Sequence, residues 1–131
     1  MHASLQPSQS TDLFPDLPAL LDTIRSAAAQ TAGDRKKFRI HGSGSHDFYG
    51  ESLEGELLET RGLNGISQYE PSELVVTVAA GTPLHELETA LSEQGQCLAF
   101  EPPHFQVNVG NKPHSHATVG GMVAAGLSGP A

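Results

Sequence analysis

Two glycine-rich segments of this sequence have the residue types that can receive an anion. The first is Arg39-Ile40-His41-Gly42-Ser43-Gly44-Ser45-His46. Glycine permits positive φ and lets a ligand come close to the backbone. Successive N–H groups in such a loop can point at one anion, and the Ser43 and Ser45 hydroxyls add donors for phosphate oxygens. The segment does not end in Gly-Lys-Ser or Gly-Lys-Thr, so it is not a P-loop. No Gly-x-Gly-x-x-Gly opens a helix, so it is not a Rossmann fingerprint. Taken alone, the loop reads equally well as a surface turn. The second segment is Thr118-Val119-Gly120-Gly121, followed by a helix start. Free N–H groups and the helix dipole favour phosphate at such a terminus. The alternative is a helix packed closely on a neighbour, because Ala124, Ala125 and Gly126 are also small. The two readings are compatible.

Other reactive side chains form no constellation. Among the seven histidines, His114 and His116 are two apart with His104 upstream, but no Cys-x-x-Cys or His-Glu-x-x-His accompanies them. A tetrahedral site needs convergent ligands, so these read as solvated loop histidines, with a metal-binding module of His104, His114 and His116 as an outlying alternative. No metal is expected. His85 has nothing to orient it as a base and reads as a half-buried helix histidine; Glu86 and Glu88 read as facing water. Cys97 lies in a strand-like run and reads as a small buried apolar residue. No catalytic residue is assigned.

The elements that must position the glycine segments follow from periodicity. Residues 1–15 read as a disordered tail. Leu17, Leu20, Leu21, Ile24 and Ala28 predict a helix within 16–33, capped by Asp16 and stopped by Gly33. Phe38 and Ile40 predict a strand running into the first loop, Leu57 to Thr60 a second, and Ile66 to Tyr69 a third. Leu74 to Ala79 is nearly continuous in apolarity and predicts a strand buried on both faces. Thr82 then caps a helix with Pro83 at its first position, an apolar face of Leu84, Leu87 and Leu91, and a stop at Gly95. Leu98 to Phe100 predicts a short strand. The stretch from Glu101 to His116 reads as irregular, and a helix of small residues follows to Gly126 with no strand after it. Strands alternate with helices, so the class is α/β or α+β.

The chain has 131 residues, enough for one domain, with 37% apolar and 5% aromatic residues. The formal charge of −8 excludes nucleic acid as the expected partner, because phosphate backbones demand clustered Lys and Arg. The short run Arg35-Lys36-Lys37 reads as solvating a strand entrance. One cysteine allows no internal disulfide and fits a reducing compartment. The N-terminus lacks a signal pattern, and no apolar run approaches the ~20 residues that cross a bilayer, so the expected location is cytoplasmic.

With both segments placed, the sequence resembles the FAD-binding domain of the vanillyl-alcohol oxidase and p-cresol methylhydroxylase (PCMH) family, within it most closely the flavin subunits of bacterial glycolate oxidases. The matching text is residues 41–50, 65–78, Ala80-Gly81-Thr82-Pro83-Leu84, Glu101-Pro102-Pro103 and 117–130. The order and spacing of these five segments carry the resemblance, since each is weak alone. It implies an α+β, PCMH-type fold over 34–131, incomplete at the C-terminus because family members continue past Pro130. It implies that Gly42, Ser43, Gly44, Ser45 and His46 wrap the FAD pyrophosphate, that Ala117, Thr118, Gly120 and Gly121 approach from the other side, and that Pro103 lies near the flavin. Some relatives bind flavin covalently through a histidine of the first loop; Ser45 falls at or next to that place here, with His46 one residue on, which implies non-covalent FAD, with a bond to His46 as the alternative. The implied activity of the whole protein is oxidation of a 2-hydroxy acid such as glycolate, with hydride passing to flavin. Electrons would then reach a second flavin subunit and an iron–sulfur subunit, with the protein cytoplasmic or peripheral at the inner membrane through those partners. Rival readings are a flavoprotein of the same fold acting on lactate-type or cell-wall-precursor substrates, and a subunit that contacts oxidase partners without flavin. These 131 residues alone are expected to be inactive.

Overall fold

The computed structural model describes residues 15–31, 33–34, 36–45, 51–52, 54–104, 106–109, 112–115, 117–127 and 129–130. In chain order the elements are α1 (Leu17–Ala28), β1 (Phe38–His41), β2 (Glu56–Glu59), β3 (Ile66–Glu70), a 3-10 turn (Pro71–Glu73), β4 (Val75–Val78), α2 (Leu84–Glu93), β5 (Phe100–Glu101), β6 (Gln106–Val109), β7 (Lys112–Ser115), α3 (Val119–Ala125) and β8 (Gly129–Pro130). The architecture is α+β. The strands pair two by two: β1 with β2 in parallel, and β3–β4, β5–β8 and β6–β7 antiparallel.

The core forms where α2 lies on the β3–β4 hairpin. Leu84, Leu87 and Leu91 recur at helical spacing, so they share one face. Leu84 is 1% exposed and Leu87 2%, and both join Ala117 and Val119 in one cluster. Ile66, Tyr69, Val76, Val78 and Met122 pack around it. Beyond α2, Gly95 takes φ +67 and reverses the chain. The Tyr69 hydroxyl donates to Gln96 Oε1 (2.6 Å), and Gln96 Nε2 donates to the Pro71 carbonyl (2.8 Å), which fastens the hairpin to the end of the helix.

Several expectations change in three dimensions. α1 ends at Ala28, short of Gly33, and Asp16 makes no side-chain cap; its carboxylate lies over Gly62 instead. β4 is not buried on both faces. It has one strand partner, so Val76 and Val78 face the core while Val75 faces outward, and Leu74 is 79% exposed in a left-handed conformation. α2 starts one residue later than expected, with Pro83 at the N-cap position. Residues 106–115 are not irregular throughout: β6 and β7 form an antiparallel ladder from Gln106↔Ser115 to Val109↔Lys112. The alternation of Val107 and Val109 was the available signal. A two-residue strand does follow α3, because Gly129–Pro130 pairs with β5. Cys97 and His85 are exposed. The expected tail over 1–14 lies outside the described residues.

Thr82 is the sharpest of these differences. It is 0% exposed, and its hydroxyl is occupied by Gly65 rather than by a helix end. Gly65 N–H donates to Thr82 Oγ1 at 2.9 Å, and the hydroxyl donates to the Gly65 carbonyl at 3.3 Å. Thr82→Val keeps the shape but leaves both Gly65 groups without that partner. A loss of about 1–3 kcal/mol is expected in urea unfolding; a change under 0.5 kcal/mol, within the range of an ordinary surface substitution, would show that water replaces the hydroxyl.

Candidate functional site

A pocket of about 630 Å³ lies between the loop after β1 and the start of α3. Gly42, Ser43, Gly44 and Ser45 line one side, and Thr118, Gly120 and Gly121 the other. The two glycine segments, 75 residues or so apart in the chain, therefore share one hollow.

Each wall is held by backbone hydrogen bonds. On the loop side, β1 and β2 run in parallel to the register His41↔Glu59. The Thr60 N–H (2.9 Å) and hydroxyl (3.1 Å) then both donate to the His41 carbonyl, which fixes where the loop begins. Gly44 takes φ +73, a conformation other residues adopt only with strain, and this turns the loop back. Ser45 is buried at its end. On the other side, the turn between β4 and α2 is stitched to the start of α3. Gly120 N–H donates to the Ala80 carbonyl (2.7 Å), Val119 N–H to that of Thr82 (2.9 Å), and Leu84 N–H to that of Ala117 (2.8 Å). The walls meet where Gly42 packs on Thr118: a Cβ on Gly42 would lie 3.1 Å from Thr118 Oγ1.

The donors are not distributed as the sequence predicts. α3 has seven residues, and its first amides are already used. Val119 and Gly120 donate as above, Gly121 N–H donates to the capping Thr118 Oγ1 (3.1 Å), and Met122 N–H to the Thr118 carbonyl (2.9 Å). The start of α3 thus contributes a close approach rather than free donors. The loop differs, since the amides of Gly42, Ser43 and Gly44 have no hydrogen-bond partner among the described residues. These amides, with two serine hydroxyls nearby, are the groups able to receive an anion.

Of the residues predicted from sequence, seven line the pocket. Ala117 does not; its side chain is in the core beneath, 3% exposed. Pro103 is half-buried after β5 and is not part of the lining. His46 lies outside the described residues, as do the side chains of His114 and His116. Among the described residues no group of three or more His, Cys, Asp or Glu could hold a metal, and no helix is long and apolar enough to cross a membrane.

The pocket also contains residues that sequence reasoning missed: Ile40, His41, Thr60, Ala80, Ala124, Ala125 and Leu127. Ile40, Ala124, Ala125 and Leu127 make one end apolar, so the hollow suits a ligand with an anionic part and a flat or aliphatic part. Thr60 enters only through the β1–β2 pairing, for which the sequence has no local signal. At the rim, Glu59 accepts from Arg61 Nε (3.1 Å) and Nη2 (3.2 Å), and its Oε2 lies 3.4 Å from His41 Nδ1. Partial burial opposes the Glu59 charge, but Arg61, through its side chain and its backbone N–H, and His41 together hold the carboxyl below its ordinary range.

Comparison with known proteins agrees with this geometry. The family model described as an FAD binding domain matches residues 17–131. The chain is 42% identical over 112 residues to the glycolate oxidase subunit GlcE of Escherichia coli (strain K12). That alignment spans 86% of this chain and 29% of the relative, so the chain covers less than a third of that protein. No solved structure gives a significant match.

Proposed function

The chain belongs to the FAD binding domain family, and from that premise we propose that the pocket between the two glycine segments is its seat for the FAD diphosphate. The observation that carries this reading is that Ser43 and Gly120 line one hollow. The residues present fit the group. Three loop amides without partners among the described residues and the Ser43 hydroxyl supply donors, and Gly120 and Gly121 leave room that side chains would fill. Thr118 braces the two walls. Ala117 sets the position of Thr118 from the core, and His46 and Pro103 belong to the proposal through the family resemblance alone.

Bound FAD would supply a two-electron acceptor, and this chain's part is to hold and orient it. We read the cofactor as non-covalent, since Ser45 stands where some relatives have a flavin-linked histidine. The whole protein is proposed to be a flavin-dependent oxidoreductase acting on a 2-hydroxy acid such as glycolate. Its relative is named as a subunit of a glycolate oxidase, which supports association with other subunits, among them a second flavin subunit and an iron–sulfur subunit. The proposed location is cytoplasmic, or peripheral at the inner membrane through those partners. A helix within 16–33 leading into a flavin domain over 34–131 is part of the same reading.

Titration of the purified chain with FAD, followed by flavin fluorescence, tests it. Saturable binding is expected. Gly44→Asp puts a carboxylate among the donors meant for phosphate and strains a residue at φ +73. It should weaken binding at least about tenfold, because like charges in one site repel. Unchanged affinity in Gly44→Asp would show that FAD does not use this loop.

A further inference from the structure

We infer that Thr60 is a positioning residue of the anion loop: its hydroxyl, bonded to the His41 carbonyl, holds the Gly42 N–H in the direction a diphosphate needs. The inference rests on the reading of the pocket as the FAD diphosphate site and deepens it by naming a residue outside both glycine segments.

The His41 carbonyl and the Gly42 N–H belong to one planar trans peptide group, so they point in opposite directions. The carbonyl accepts twice from one residue, from the Thr60 N–H at 2.9 Å and from the Thr60 hydroxyl at 3.1 Å. Two donors match the two lone pairs of the oxygen. On the far side of the same peptide, the Gly42 N–H has no partner among the described residues, and Gly42 lines the pocket. Fixing the carbonyl on Thr60 therefore fixes the amide away from it. A hydrogen-bonded carbonyl also polarises its own peptide group, which strengthens the N–H as a donor.

The clamp matters because glycine follows it. Rotation about the bonds flanking the 41–42 peptide turns the whole group over, and Gly42 tolerates the result, since glycine accepts either sign of φ. The overturned group would present its carbonyl oxygen, the negative end, to the phosphates. Any residue but proline at position 60 supplies the backbone bond; the second bond requires a hydroxyl at that place. Thr60 is held in turn. Its own carbonyl accepts from the Leu63 N–H at 3.0 Å, and Gly81 packs against that oxygen from the β4–α2 turn.

Flavin-fluorescence titration and two-dimensional amide NMR of the chain and of its Thr60→Val and Thr60→Ser variants test this. Valine keeps the β-branched shape and the backbone bond and removes the hydroxyl. FAD affinity should fall roughly fivefold in Thr60→Val, the worth of one hydrogen bond, and return to within about twofold of the parent in Thr60→Ser. In the unaltered chain the Gly42 amide proton should move downfield as FAD is added, and in Thr60→Val that movement should shrink. A merely structural role would lower the Tm of Thr60→Val and leave its FAD affinity and Gly42 signal as in the parent, which overturns the assignment, as does failure of Thr60→Ser to restore binding. A Gly42 signal that stays in place while FAD binds the unaltered chain overturns it too, whether or not Thr60→Val folds. The pocket reading is judged separately, by Gly44→Asp; absence of FAD binding to the unaltered chain overturns both.

Discussion

Gly120→Ala should weaken FAD binding by at least about tenfold and cost about 1–3 kcal/mol of stability. A Cβ on residue 120 would stand 2.8 Å from both the Ala80 Cβ and the Ala80 carbonyl oxygen. The same oxygen accepts the Gly120 N–H at 2.7 Å. None of these atoms belongs to a flexible side chain, so no rotamer change relieves the overlap. α3 must move away from the Ala80 turn, which stretches that hydrogen bond and displaces one wall of the pocket from the other. Gly121→Ala is the control, because its nearest contact would be Thr118 Oγ1 at 3.2 Å, and a small shift accommodates it. FAD titration and urea unfolding of the two variants check the contrast. Equal effects in both would mean that the close approach at Ala80 does not set the pocket.

Gly81→Ala is expected to be the most destabilising single substitution considered. Gly81 is buried, and a Cβ there would overlap the Thr60 carbonyl oxygen and lie 2.7 Å from that of Leu63. Its own N–H donates to the Leu63 carbonyl at 2.8 Å. All the obstructing atoms are backbone, and Thr60 is the residue that clamps the start of the first loop. Relief therefore requires separating the β4–α2 turn from the strand that positions the loop. A loss of about 3 kcal/mol, and a fall in Tm of about 10 °C or more, should appear in thermal unfolding by circular dichroism. A Tm within about 2 °C of the parent would show that the turn can relax by another route.

Both predictions concern the second wall, and this bears on how much the chain announced in advance. The α2 face of Leu84, Leu87 and Leu91 was legible because a helix buries one stripe whatever it packs on. The loop at Gly42 to Ser45 was legible as a bend because small residues permit a tight turn after a strand, and only its pairing with the second glycine segment distinguished it from a surface turn. The turn at Gly120 was identified for two physical reasons, and only the close packing on a neighbour holds. Sequence reading assigned it free donors, whereas its amides are consumed by Thr82, Ala80 and Thr118. Thr82 was read as a cap from local chemistry, but a buried hydroxyl bonds whatever the fold brings to it, and here that is Gly65.

Local composition alone determined the helices α1 and α2, most of the strands, the two bends without side-chain bulk, and the family these resemble. Each depends on neighbours within a few residues, where periodicity and turn chemistry act. Tertiary structure decided the rest: the parallel pairing that brings in Thr60 and His41, the single-sided burial of β4, the pairing of β6 with β7, and the convergence of Ser43 with Gly120 on one hollow. Those depend on contacts between distant segments, whose partners no short stretch of sequence specifies.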